Sequence, residues 1–92
     1  MAIIEKKTVW VIMSKDRTII ARGTTRNLCL VLVDDPKNTQ RLLTYSSKAK
    51  AIAGFRDSVF YNTGLIPGYR IGRPLSEYLE AVECELLLTS VV

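Results

Sequence analysis

The residue pair with the most explicit chemical precedent in this 92-residue chain is Ser47 and Lys50. Ser47-Lys-Ala-Lys50 has the S-x-x-K spacing of serine acyl enzymes, in which a serine opens a helix and a lysine sits beside it one turn later. The S-D-N and K-T-G motifs that complete such a site are missing, and the chain is much too short for that fold. The serine also has a simpler role, as a helix N-cap whose hydroxyl accepts from a free N–H of the first turn. Asp34-Asp35 offers oxygen ligands suited to a hard cation. No EF-hand spacing surrounds the pair, and neighbouring acids before Pro36 read as a solvated turn. Gly68-Tyr-Arg-Ile-Gly72-Arg73 resembles a glycine-rich phosphate loop only loosely, because it lacks the G-x-x-x-x-G-K-[ST] order and no clear helix follows it. Histidine is absent, which removes imidazole acid–base catalysis, Ser–His and Cys–His nucleophiles and every His-containing metal site. The chain reads as non-enzymatic, with no cofactor and no metal site.

Binding is the remaining class of function. The net charge of +4 is unevenly spread. Residues 1–73 hold all thirteen Lys and Arg and five acids, a net +8, whereas residues 74–92 hold four acids (Glu77, Glu80, Glu83, Glu85) and no base. Such asymmetry marks either an anionic partner for the basic part or an acidic tail that folds beside basic neighbours. The bases never form a run of five, which favours the second. The stretch from Leu65 to Pro74 is long for a connection in a compact domain and carries Tyr69, Arg70 and Arg73, a candidate interaction loop. The alternative is nucleic-acid binding. Arg22, Arg26, Lys48, Lys50 and Arg56 form its candidate basic surface, with Arg17, Arg70 and Arg73 as further phosphate contacts and Tyr45, Tyr61 and Tyr69 as stacking platforms. The RNP1 pattern, the KH loop and zinc ligand sets do not occur.

The elements that would position these residues follow from hydrophobic period. The 48% apolar and 24% charged content is that of an ordinary globular chain, and the length is that of one domain spanning 1–92. Thr8–Ser14 is β-branched and aromatic with both faces apolar, as an inner strand requires. A polar link, Ser14–Arg17, leads to a second strand, Thr18–Gly23, as in a hairpin. Leu28–Val33 is a continuous apolar run of strand length, and Arg41–Tyr45 reads as a shorter fourth strand of an antiparallel meander. The period then changes. Ser46-Ser47 caps a helix of about 15 residues, with Ala51, Ile52, Phe55 and Val59 on one stripe and Asn62 or Gly64 at its end. A single helical turn near Leu75–Tyr78 and a strand from about Glu80 to Val91 complete the chain. The expected class is α+β: an antiparallel sheet of four to five strands with one main helix packed on one face.

Cys29 and Cys84 lie in apolar runs and read as core thiols, although one bridge between them stays open at this level. The start of the chain lacks the apolar stretch of a signal peptide. The longest aliphatic run, Leu28–Val33, is far short of the roughly 20 residues of a membrane span. The expectation is a soluble chain made in a cytoplasm.

Three stretches also carry a resemblance: Thr8-Val-Trp-Val-Ile-Met-Ser-Lys-Asp-Arg17; Ile20-Ala-Arg-Gly23; and Arg41-Leu-Leu-Thr-Tyr-Ser-Ser-Lys48 leading to Ala51, Phe55 and Phe60-Tyr61-Asn62. Over roughly residues 8–62 the chain resembles small uncharacterised accessory proteins of tailed phages and prophages of Gram-positive bacteria, of the Bacillus-phage type. The resemblance implies a genomic setting: synthesis in a host cytoplasm, with association with the virion or modulation of a host protein as the task. It carries over no catalytic or ligand-binding residue. The sequence therefore points to a non-enzymatic protein–protein interaction module, with a protein partner or a second copy of itself as its ligand and no membrane.

Overall fold

The computed structural model describes residues 3–24, 28–35, 40–61, 66 and 68–89. Four strands form one antiparallel sheet: β1 (Ile3–Ser14), β2 (Ile19–Gly23), β3 (Leu28–Leu32) and β4 (Leu79–Thr89), in the order β3-β2-β1-β4. One short helix, α1 (Lys48–Ala53), and a 3-10 turn, Leu75–Glu77, are the helical elements among the described residues. The α+β class and the antiparallel sheet stand as expected.

Alternation along the strands explains which residues meet. Trp10 and Ile12 of β1, Ile19 and Ala21 of β2, Leu28 and Leu30 of β3, and Leu79 and Ala81 of β4 join one apolar cluster. Ala51 of α1, Phe55, Phe60 and Leu75 belong to the same cluster. Each fully buried Ile, Leu or Phe there contributes on the order of 1.5–3 kcal/mol. The intervening residues of β1, Val9 and Val11, are also buried. The central strand is thus covered on both faces, as its doubly apolar sequence requires.

Three departures from the expected layout have physical causes. The first concerns Arg41–Tyr45, which does not extend a meander. It returns to the middle of the sheet and wedges between β1 and β2. Tyr45 exchanges backbone hydrogen bonds with Trp10 at 2.8 and 2.7 Å on one side, and Leu42 bridges Arg22 on the other, where the Gly23 N–H donates to the Arg41 carbonyl at 2.7 Å. Five residues with different neighbours on each side form two isolated bridges instead of a ladder, and β1 meets β2 directly only at Met13 and Ile20.

The second departure is the helix, which is six residues long instead of about 15. Ser47 caps it as expected, its Oγ accepting from the Lys50 N–H at 3.2 Å. It stops at Gly54, whose missing side chain leaves room for Tyr45: a Cβ there would lie 2.5 Å from the Tyr45 Oη. The chain continues in turns and becomes extended at Ser58–Phe60, pairing with the stretch before the 3-10 turn. Phe60 donates to the Arg73 carbonyl at 2.9 Å and Leu75 to the Ser58 carbonyl at 2.9 Å. Val59 is accordingly half-buried opposite Pro74 instead of lying on a helix stripe. Val59-Phe60-Tyr61 are β-branched and aromatic, types that favour extended chain. The expected cap at Asn62 or Gly64 lies outside the described residues.

The third departure is the length of β1. It begins at Ile3, five residues before the apolar segment, because Ile3–Thr8 pairs with Glu85–Thr89 of β4. A 12-residue strand spans about 40 Å, more than twice the length of β2 or β3. The molecule is accordingly elongated, 47 × 29 × 24 Å, with a radius of gyration of 14.2 Å against about 12 Å for a compact chain of this size. The far half of the β1/β4 pair is a two-stranded arm.

Candidate interaction surface

The loop singled out by sequence is largely spent on the fold. Tyr69 stacks on Tyr78 at a centroid distance of 4.3 Å and meets the edge of Phe60 at 5.4 Å. The Arg70 backbone N–H donates to the Tyr78 hydroxyl at 3.3 Å. Arg73 forks onto Glu77, with Nε to Oε2 at 3.2 Å and an NH2 nitrogen to Oε1 at 2.5 Å. Of the three candidates only the Arg70 side chain is left facing solvent without such a role. Gly68 and Gly72 take the left-handed backbone, φ 87 and 86, that lets the loop turn back over the aromatic stack.

The stack sits beside the β1–β2 turn, where Ser14, Asp16 and Thr18 share a dense set of hydrogen bonds. Ser14 is buried. Its Oγ donates to the Asp16 carboxylate at 2.6 Å and accepts from the N–H groups of Thr18 and Ile19 at 3.1 and 3.0 Å. Asp16 also accepts from the Thr18 hydroxyl at 2.7 Å and its N–H at 3.1 Å. The Ser14 hydroxyl first, then the two Thr18 donors, lower the Asp16 carboxyl to a pKa of about 2. Arg17 takes a left-handed conformation, φ 67, and reaches both the Ser14 carbonyl and Glu80. Burial pushes the Tyr69 phenol above its ordinary value, and the Asp16 charge adds to the push. The neighbouring Ser14 hydroxyl opposes the shift but makes no hydrogen bond of ordinary geometry to it. The carboxylate that accepts from the Ser14 hydroxyl is held at a pKa of about 2, too weak a base to activate it, and the serine oxygen already serves two amide donors. The group fixes a turn.

The other chemical candidates resolve similarly. The Lys50 ammonium donates to Ser46 Oγ at 3.2 Å, while Ser47 is occupied as the cap. Asp34 and Asp35 are exposed at the turn after β3. Among the described residues no group of three Cys, Asp or Glu side chains could hold a metal ion, and no helix is long and apolar enough to cross a membrane. Cys29 and Cys84 are free thiols, on β3 and β4 at opposite edges of the sheet with β2 and β1 between them. The bridge left open by sequence is therefore excluded, since a disulfide needs Cα atoms within about 7 Å. A cleft of about 450 Å³ opens between β3 and the 58–61 segment, lined by Leu28, Cys29, Leu30, Gln40, Phe60, Tyr61 and Leu75. Among the described residues no Asp, Glu, Lys or Arg lines it.

Among the described residues the basic candidates fall in two places, Arg22 on the sheet and the rest around α1. Arg22 lies across the sheet with its Nε buried and one guanidinium nitrogen on the Gln40 carbonyl at 3.0 Å. Lys48, Lys50 and Arg56 are exposed around α1, with Arg56 3.7 Å from Asp57. Arg26 lies outside the described residues. Of the stacking candidates, Tyr45 packs into the core cluster, Tyr69 is in the aromatic stack, and Tyr61 is exposed. Three of the four C-terminal acids instead pair with bases of the first 73 residues: Glu77 with Arg73, Glu80 with Arg17, and Glu85 with Lys6 at 3.9 Å. The uneven charge of the sequence is in large part folded back on itself. Each of these exposed pairs is worth little alone.

The feature that sequence reasoning missed is the arm. Ile4 to Thr8 are all exposed, Ile4 at 65%, and Leu86 on the paired strand is 43% exposed. The signal was present in the extension of apolar character through Leu86-Leu87-Leu88, which needs a partner strand that only residues 3–7 can supply. Comparison with protein-family models, with curated proteins and with solved structures returns no match.

Proposed function

We propose that the chain is a non-enzymatic accessory protein of a tailed phage or prophage that binds protein through the β1/β4 arm, in a virion-associated or host-modulating role. The observation that carries the reading is the arm itself. A two-stranded ribbon is at best marginally stable in water, yet this one holds Ile4 and Leu86 in solvent beyond the body of the fold. Strand addition at an open edge is a general mode of protein capture. The short helix and the 55–60 segment serve as the cover of one sheet face, which leaves the arm as the recognising part.

Nucleic-acid binding is the rival, and the engagement of Arg22 and Arg73 within the fold weighs against it. The test is retention by the tagged chain, expressed in the cell that encodes it, compared with an Ile4→Lys/Leu86→Lys variant. A defined protein held by the parent and lost from the variant supports the reading. Identical protein sets from both chains overturn it. A salt-sensitive mobility shift with DNA or RNA would favour the rival.

A further inference from the structure

Two strand edges run along the arm, and they differ in charge. The charged residues of β4 are all acids, Glu80, Glu83 and Glu85, of which Glu85 lies in the arm, followed by Leu86-Leu87-Leu88. The open edge of β1 carries Glu5-Lys6-Lys7, with both signs. The direction of its backbone groups is fixed by the sheet. Trp10 exchanges both its N–H and its carbonyl with Tyr45, on the side of β1 away from β4. The register with β4 is unbroken from Glu5 to Ser14, so alternation turns the backbone groups of Lys6 and Thr8 to that same side. Among the described residues no backbone group meets them there.

We propose that this edge pairs antiparallel with the same edge of a second copy of the chain, with Lys6 of each copy on the two-fold axis. This deepens the reading above by naming the occupant of the arm. In this register Lys6 exchanges backbone bonds with the partner's Lys6, and Thr8 faces the partner's Ile4 at each end. Glu5 lies opposite the partner's Lys7, twice by symmetry. Those two pairs occupy the non-hydrogen-bonded positions, where opposing side chains approach most closely.

The neighbouring registers that keep the same backbone pattern are disfavoured by charge. One sets Glu5 against the partner's Glu5, and the other sets Lys7 against the partner's Lys7, so only the register centred on Lys6 places opposite charges across the pair. The central lysines lie on the other face, each answered by its own Glu85 at 3.9 Å. Lysines on an open edge ordinarily discourage strand addition, and here the intervening Glu5 and the flanking Glu85 offset them. Self-pairing along β4 would offer no opposite charge, because every charged residue of that strand is an acid.

The pairing is short, because the β1 register shifts between Ile3 and Glu5 and Tyr45 already occupies the edge at Trp10. The interface is therefore below standard size, and the expected dissociation constant is on the order of tens of micromolar. Sedimentation equilibrium of the purified full chain, from about 10 μM to about 1 mM, reads it directly. The expected result is a monomer–dimer equilibrium that weakens with added salt.

Glu5→Lys and Lys7→Glu variants, each with like charges at all four positions, should each lose affinity by about tenfold or more. An equimolar mixture of the two should dimerise again, because every facing pair is then opposite in charge. Both positions are exposed, so unchanged thermal melting verifies that the variants fold. A parent chain that stays monomeric throughout the range, variants that associate like the parent, or a mixture that fails to recover would each overturn the proposal. A monomeric parent that still retains a partner from its own cell would overturn this inference alone and leave the arm as a site for another protein.

Discussion

Replacing Gly54 by alanine should destabilise this protein, although the general rule gives the opposite sign. Gly54 has helical angles, φ −65 and ψ −22, which alanine adopts without strain. Such a change ordinarily stabilises by about 0.4–1 kcal/mol by narrowing the unfolded ensemble. Here the new Cβ would lie 2.5 Å from Tyr45 Oη and 3.0 Å from its Cζ. The first contact is roughly 1 Å inside the optimal separation of about 3.5 Å. Tyr45 cannot retreat as a whole, because its backbone is held to Trp10 by two hydrogen bonds. The ring must leave its rotamer or α1 must shift, and overpacking of this kind costs about 1–3 kcal/mol. Set against the entropic gain, the net loss is about 1–2 kcal/mol, or a fall in Tm of roughly 5–15 °C for a domain of this size. Thermal and urea unfolding of Gly54→Ala, Tyr45→Leu and the double variant would measure it. In the Tyr45→Leu background both contacts are gone, so the same alanine should be neutral or stabilising, a coupling of about 1 kcal/mol or more. A Gly54→Ala chain that melts at or above the parent, or that loses equally in both backgrounds, would refute the argument.

Three further outcomes follow from the turn and the aromatic stack. Ser14→Ala removes the acceptor for two backbone N–H groups and should cost about 1–3 kcal/mol, read as a lowered urea midpoint; a change within error would mean that the turn does not depend on the hydroxyl. Asp16 has its carboxyl lowered to about 2 from 3.8, so it favours the folded state above the unfolded value and loses that contribution as the pH falls toward 2. Melting temperature followed through this acid window should fall more steeply for the parent than for Asp16→Asn, and parallel curves would contradict the assignment. The Tyr69 hydroxyl is buried without a hydrogen-bond partner among the described residues, so Tyr69→Phe should stabilise by about 1 kcal/mol, whereas a comparable loss would reveal a bond that the hydroxyl makes.

The parts of this fold that could be read from sequence are those in which local preference and tertiary environment agree. Thr8–Ser14 is apolar on both faces and is the central strand. Ser47 is a good cap in front of alanines and does cap a helix. The Val-Glu-Cys-Glu-Leu alternation is a strand, preceded by the helical turn at Leu75. What could not be read depends on partners distant in sequence. Helical spacing through Val59 and Phe60 is genuine, but one side chain, Tyr45, occupies the space beyond Ala53, and Arg73 and Leu75 offer an alternative set of backbone bonds. Arg41–Tyr45 has the composition of a strand, yet its two neighbours belong to different parts of the hairpin, which no local pattern encodes. Among candidate site residues, Tyr69 and Arg73 were conspicuous for the right physical reason, an aromatic and a cation in a long loop. They serve to hold that loop down. Ile4, Glu5 and Lys7 drew no attention because a short charged segment has no period of its own; its significance arises only once β4 is laid beside it.

The placement of β4 next to β1 has a consequence for how the molecule comes into being. Val9 pairs with Cys84, and Lys7 with Leu86, so β1 must wait for a partner strand that lies far from it in the sequence. Until then β1 is held to the rest of the sheet only at Met13 and through the Tyr45 bridge. Closing so large a loop is entropically slow, and the sheet cannot zip up progressively during translation. A chain whose β4 has not yet docked leaves the flank of β1 that Leu79–Thr89 covers open to solvent, so the longest ladder of the sheet is also the one that is completed last.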